Sequence, residues 1–275
     1  MKYNNSSYFG KSSKEEYRNI VFLDATFDIH KPLYKYMDVE SAMYFLKTVT
    51  MSYVEPSSWY DPFEKRFYNA DFSAIPNFKK PKLFASCFTK KSSNEASWVM
   101  YSYFKNGLAS KSIRFELNPA VYYDMLDSYG DLTKTRIIIS DANYSLNEQT
   151  IKALHKRTCS KHSEYFSQFN IDKFINLMLI KRKAFEYEKE VRIFIVPTQD
   201  TPDEDMKIFN NTDRIKMGGD NWLLSLLVKS IMISPNCTQM ETEMIEKMVK
   251  EITNGAIKCS QSKLYNSFDP VIVEP

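Results

Sequence analysis

Apolar and polar positions follow two rhythms along this chain. Short runs that are apolar, or that alternate with period two, predict strands. These are "PLYKYMD" (Pro32 to Asp38), "KLFASCFT" (Lys82 to Thr89), "SIRFELN" (Ser112 to Asn118), "TRIIIS" (Thr135 to Ser140), "EVRIFIV" (Glu190 to Val196) and a final "AIKCSQSKL". Longer runs carry a helical period. "VESAMYFLKTVT" follows an Asp38 cap and places Val39, Ala42, Met43, Phe45 and Leu46 on one face, and "NEASWVMYSYF" reads as a second helix. The stretch from about Leu146 to Arg182 is helical in two pieces, the second within "IDKFINLMLIKRKAF". "CTQMETEMIEKMVKEITNG" has Thr238 as cap, a stripe of Met244, Ile245, Met248 and Ile252, and a glycine stop. "WLLSLLVKSIMIS" ends in a β-rich run, and "PSSWYDPFEKRF" reads as a loop because Pro56 and Pro62 interrupt it.

No internal repeat or low-complexity linker divides the chain. Residues 1–30 begin polar and are expected to be a loosely attached arm, with "IVFLDATF" as a short strand or packed segment. Residues 31–275 are expected to form a single α+β domain with a mixed or antiparallel central sheet flanked by helices.

Against that frame one stretch stands out, "FEYEKEVRIFIV" (Phe185 to Val196). On a strand, Glu186, Glu188, Glu190 and Arg192 share a face, Tyr187, Val191, Ile193 and Ile195 point to the core, and Lys189 breaks the alternation. Same-face neighbours lie about 6.5 to 7 Å apart, near enough for carboxylates to raise one another's pKa where water is scarce. Three readings are open. The face is wet and neutralised by Lys or Arg on a neighbouring strand; or the helix from Ile171 runs to about Glu190 and pairs these charges at i,i+4; or the row is a catalytic acidic pair.

Composition narrows the class. With 43% hydrophobic and 26% charged residues the chain is a globular protein, and only 6 glycines argue against a phosphate-cradling loop. Aromatics make up 15%, enough to fill a core and also to stack on a base or a nicotinamide ring. A net charge of +3, spread along the chain, demands no nucleic acid or membrane surface. Cys87, Cys159, Cys237 and Cys259 show no CxxC spacing, and His30, His155 and His162 form no HExxH pair, so the pattern gives no zinc site. The start, "MKYNNSSYFGKSSKEE", lacks an apolar signal core, and no run reaches the roughly 18 apolar residues of a membrane span. A cytoplasmic location with reduced thiols is expected.

The pieces "LYKYMDVESAMYFL", "SSWYDPFE", "ASCFT", "SWVMYSYFKNGLASKSIRFEL", "KRKAFEYEKEVRIFI" and "KSIMISPN", in this order between Leu33 and Asn236, resemble the bacterial family called domain of unknown function 2971. More distantly, their order is similar to that of the ADP-ribosyltransferase superfamily. That resemblance implies an ADP-ribosyltransferase-like fold and an NAD-dependent activity, with Glu188 and Glu190 as the acidic pair. It places Lys35, flanked by Tyr34 and Tyr36, at the first-strand position usually held by His or Arg. It makes Trp98 and Tyr101 the platform under the nicotinamide, and Arg192 or Lys35 the partner of the pyrophosphate. By the same resemblance the protein is a toxin or defence effector acting on a protein or single-stranded nucleic acid, with an antitoxin or complex subunit as possible partner. The alternative from another class is a nucleotide-sensing or partner-binding subunit of a defence complex that does not turn over its ligand.

Overall fold

The computed structural model describes residues 11–72, 80–93, 95–100, 111–158 and 171–265. Its strands, in chain order, are β1 (Ile20–Phe22), β2 (Leu33–Asp38), β3 (Thr50–Val54), β4 (Phe84–Thr89), β5 (Ser112–Leu117), β6 (Thr135–Asp141), β7 (Glu190–Pro197), β8 (Arg214–Gly218), β9 (Val228–Ile233) and β10 (Lys258–Gln261). The helices are α1 (Val39–Thr48), α2 (Pro62–Tyr68), α3 (Glu95–Met100), α4 (Pro119–Thr133), α5 (Glu148–Thr158), α6 (Ile171–Met178), α7 (Asp203–Asn210), α8 (Leu224–Leu227) and α9 (Gln239–Thr253).

The strands form one mixed sheet in the order β1-β6-β7-β4-β2-β5-β9-β10. Its centre is antiparallel, and its two edges, β1 on β6 and β10 on β9, are parallel. β4 changes partner along its length: Ala85 pairs with Val54 of β3, while Thr89 pairs with Tyr34 of β2. The expected mixed sheet flanked by helices is therefore present, and no helix among the described residues is long and apolar enough to cross a membrane.

Each face of the sheet buries its own cluster, as alternation requires. Val191, Ile193 and Ile195 of β7 pack with Phe115, Phe45 and Tyr122 on one side, under α1, α4 and α9. Phe194 and Val196 pack with Phe67, Phe174 and Met178 on the other, under α2 and α6. Glu190 and Arg192 fall on this second face.

Three readings of the sequence need correction. Residues 11–30 are not a loose arm: "IVFLDATF" supplies the expected short strand as β1, which pairs with β6, Asn19 N donates to Asp127 Oδ1 at 2.7 Å, and Tyr17, Phe27 and Ile29 are buried. Gly130 permits this docking, because a Cβ there would lie 2.7 Å from Asn19 Cβ. "PSSWYDPFEKRF" is not all loop. Pro62 begins α2 instead of breaking it, since a helix's first position has no N–H to lose, and Asp61 caps the turn by accepting from Phe63 N at 2.9 Å. On α9 the capping box of Thr238 and Glu241 is present, but Met244 is exposed, and the buried stripe runs through Thr242, Ile245, Val249 and Thr253.

Truncating an aromatic of a docked segment leaves a cavity. Phe27→Ala is expected to lower the unfolding free energy by about 3 kcal/mol, whereas a loose arm would lose under about 0.5 kcal/mol; denaturant titration of both proteins separates these values.

Candidate functional site

On the second face, where β4 lies between β7 and β2, the side chains stop closing into a core and leave a cleft of about 260 Å³. β2 supplies Tyr34 and Tyr36, and β4 supplies Cys87 and Thr89. Trp59, Tyr60 and Asp61 come from the turn before α2, and Glu64 from its first turn. The fourth side is a 3-10 helix, Lys183–Glu188, which contributes Phe185 and Glu188, next to Lys181.

Register explains the floor. Thr89 pairs with Glu190 and Cys87 with Arg192 across β4 and β7, so both charged residues face the side that carries Cys87 and Thr89. The Cys87 thiol hydrogen-bonds to the Glu190 carboxylate, and burial pushes the pKa of that thiol up. Glu188 reaches the same place by another route. Lys189 takes a left-handed backbone, φ 44°, and ends the 3-10 helix, turning the chain sharply into β7. Thr89 Oγ1 ties this corner down by donating to Glu188 O at 2.5 Å.

Lys181 is the centre of the charges. Its Nζ lies 2.5 Å from Glu188 Oε2, 2.5 Å from Glu190 Oε2 and 3.5 Å from Glu64 Oε1. Arg192, fully buried, donates through Nε to Glu190 Oε1 at 2.9 Å, through Nη2 to Glu64 Oε2 and through Nη1 to Met178 O. Its guanidinium stacks on Trp59, 4.4 Å from the ring centroid. Three carboxylates thus meet two cations, an excess of one negative charge.

That excess sorts the acids. Burial alone would raise the Glu190 pKa, but Arg192 and Lys181 outweigh it and hold the carboxyl well below the usual range. Burial wins at Glu188 and Glu64, whose values rise despite Lys181 and, at Glu64, Arg192. Lys181 is driven the other way: burial would lower its value, and Glu190 and Glu64 raise it above the ordinary lysine value. One oxygen of Glu188, Oε1, is buried with no hydrogen-bond partner. Carboxylates whose environments push their proton affinities apart can divide the roles of fixed anion and proton carrier.

The expected residues scatter around this geometry. Glu188 and Glu190 meet, although Glu188 lies on the 3-10 helix and not on the strand, so the single acidic face from Glu186 to Arg192 does not exist. The ladder of β7 begins only at Glu190, and Glu186 pairs with Lys189 in solvent. Tyr34 and Tyr36 line the cleft. Lys35 does not, because alternation sends it to the other face, where its amine donates to Ser86 Oγ at 3.0 Å and Cys87 O at 2.6 Å and lies over Phe88. Arg192 cannot serve a pyrophosphate, since its donors are committed to Glu190, Glu64 and a backbone carbonyl. Trp98 is buried behind Tyr36, edge-on with centroids 4.8 Å apart, and supports that ring without lining the cleft. Tyr101 lies outside the described residues.

Sequence reasoning missed Lys181, Glu64, Trp59, Tyr60 and Phe185, while Asp61, read as ending a loop against the site, does line the cleft. A signal was present in "DPFE", which is a cap, a helix-starting proline and an acid in the first turn, and so aims that acid from a helix start.

The two glutamates should differ on neutralisation. Glu190→Gln strips a buried guanidinium of a charged partner and is expected to cost about 3 kcal/mol; Glu188→Gln removes the surplus charge and should cost less. The pH dependence has a definite sign. Glu190 has a lowered pKa, so its contribution is present above the ordinary glutamate value of about 4.3 and lost as pH falls through the lowered one. Glu188 has a raised pKa, so its contribution is full below that ordinary value and lost as pH rises through the raised one. In urea titrations from acid to neutral pH, the stability of Glu188→Gln relative to wild type should therefore improve as pH rises; a constant difference would refute this. No protein-family model, curated protein or solved structure matches the chain, so the chemistry of the cleft is argued from its own residues.

Proposed function

We propose that the cleft binds the nicotinamide-ribose end of NAD, breaks the bond between them and passes ADP-ribose to a macromolecular acceptor, as the resemblance to ADP-ribosyltransferases implies. The observation that carries this reading is the meeting of Glu188 and Glu190 on one lysine, with opposed proton affinities, between aromatic walls. The residues suit one end of the molecule. A pyridinium ring is favoured by Tyr34, Tyr36 and Trp59 and by the surplus negative charge. About 260 Å³ suits a ring and ribose better than a whole dinucleotide. Among the described lining residues Lys181 is the one cation, and it is committed to carboxylates.

Glu190, kept ionised by Arg192 and Lys181, accepts from a ribose hydroxyl and stabilises the positive charge that develops on the sugar. Nicotinamide leaves with the bonding electrons as a neutral amide. The acceptor's nucleophile closes the new bond to the sugar, and its proton passes to Glu188, whose raised pKa and unpartnered oxygen suit a base. Lys181 sets the spacing of the two acids, and Trp59 and Arg192 hold Glu190 from behind. The acceptor is a protein or a single-stranded nucleic acid, in keeping with a toxin or defence effector.

A second reading has an observation of its own. Both Glu190 oxygens already accept hydrogen bonds from Lys181 and Arg192, which favours a cleft that binds a nucleotide, as a sensing or partner-binding subunit, without turning it over. Incubation with NAD labelled in the adenosine part, with and without cell extract, separates the two. Nicotinamide release and labelled protein or nucleic acid are expected from wild type, with release reduced by about 100- to 1,000-fold in Glu190→Gln. Binding without release selects the second reading, and absence of NAD binding rejects both.

A further inference from the structure

The net charge of +3 is small, yet exposed cations gather beside the mouth of the cleft. α2 and α5 lie side by side: His155 Nε2 is 3.3 Å from Arg66 O, the His155 and Phe67 ring centroids are 5.4 Å apart, and Lys152 Nζ is 5.7 Å from the Phe63 centroid. Arg66, Lys152 and Lys156 are exposed along this pair. Lys152 and Lys156, one turn apart on one helix, repel each other. Among the described residues no carboxylate is paired with any of the three; the acids at this place, Asp61 and Glu148, are spent on Arg182 at 3.1 and 3.3 Å. His155 feels the same positive field: burial first and Arg66 second hold its proton affinity below that of an ordinary histidine.

Rings are interleaved with these cations and lead to the cleft. The Arg182 guanidinium lies over both Phe63 and Phe185, 4.7 and 4.9 Å from their centroids, and Phe185 is 6.4 Å from Tyr187. Phe185 and Tyr60 line the cleft, and Tyr60 is 80% exposed. Lys152 to Phe63, Phe63 to Arg182 and Arg182 to Asp61 form an unbroken run of contacts from the basic surface to the cleft wall. Cations that meet phosphates, alternating with rings on which bases stack, suit an unpaired nucleic-acid strand. A duplex hides its bases, and an acidic protein surface offers the rings no stacking partner. Asp61, Glu64 and Glu188 repel phosphate from the cleft itself, but an uncharged base or a ribose meets no such barrier.

We propose that the surface formed by α2 and α5 holds a single-stranded nucleic acid, with its phosphates on Arg66, Lys152 and Lys156 and a base against Tyr60, so that a base edge or ribose stands at the mouth of the cleft. The role of that strand as the acceptor of ADP-ribose rests on the reading above; its binding does not.

Binding is read by fluorescence anisotropy with labelled, mixed-sequence single strands of RNA and DNA of about 12 nucleotides, with a duplex of equal length and polyglutamate as competitors and NAD absent. Wild type is expected to bind the single strand about 10-fold more tightly than the duplex. Log affinity should fall with log salt at a slope of about −2, from three contacts at about 0.7 each. The double substitution Lys152→Gln, Lys156→Gln should bring that slope to about −0.7 and leave the melting temperature unchanged, because exposed side chains away from packed groups contribute little to stability. Tyr60→Ala should weaken binding about 5- to 100-fold with the slope kept. No binding of the single strand, equal binding of the duplex, equal competition by polyglutamate, or an unchanged slope in the double variant would each overturn the proposal. NAD labelled in the adenosine part, added to the bound complex, then tests the transfer reading separately. Label on the oligonucleotide supports both, and a bound oligonucleotide that stays unlabelled leaves the surface standing while its acceptor role falls.

Discussion

The buried carboxylate of Glu190 is the constraint on which the cleft depends. A charge at 5% exposure survives only with charged partners, and Glu190 has Arg192 on its own strand and Lys181 from the segment after α6. Each partner brings further structure with it. Arg192 recruits Glu64, which fixes the first turn of α2 over the sheet, and stacks on Trp59, which fixes the turn before α2. Lys181 recruits Glu188, which draws the 3-10 helix over the cleft. Two stretches distant in sequence, Trp59–Glu64 and Lys181–Arg192, are thus held together around one oxygen pair. The contacts are nearly all charge-assisted, so losing any one partner leaves another charge stranded and propagates through the rest.

Much of the fold was legible in the sequence because it followed periodicity. β2, β4, β5, β6 and β7 lie where short apolar runs placed them, and α1 and α9 start at their Asp38 and Thr238 caps. What escaped has local physical reasons. Pro62 was read as a breaker, though at a helix start it costs no hydrogen bond. α4 mixes Tyr, Asp and Gly, so its apolar stripe is carried by Tyr122 and Tyr123, which hydropathy undervalues. At the site, alternation gave the face of Glu190 and Arg192 but could not foresee that Lys189 would adopt a left-handed conformation and carry Glu188 off the strand. The same alternation, applied to β2, was enough to separate Tyr34 and Tyr36 from Lys35, and the family analogy overrode it there. Lys181, in the run Lys181, Arg182 and Lys183, escaped because nothing local marks a lysine whose three partners lie 7, 9 and 117 positions away.

The acids and cations are also unevenly spread along the cleft. At the β7 end, three carboxylates outnumber two cations; at the β5 end, the guanidinium of Arg114 lies over Tyr34, with the Glu116 carboxylate two residues on along the same face. The excess of acid at the β7 end costs stability. An apolar substitute for such buried charges is often no less stable. The surplus of acid at the β7 end, walled by Tyr34, Tyr36 and Trp59, favours a cationic or hydroxyl-rich group there. Under the reading proposed above, the Lys181 bridge governs how far each acid is available to a ligand. With its amine between them, Glu188 keeps Oε1 unpartnered while both Glu190 oxygens are occupied; a swing toward Glu64, which it already approaches at 3.5 Å, would release Glu188 Oε2 and leave Glu190 held by Arg192.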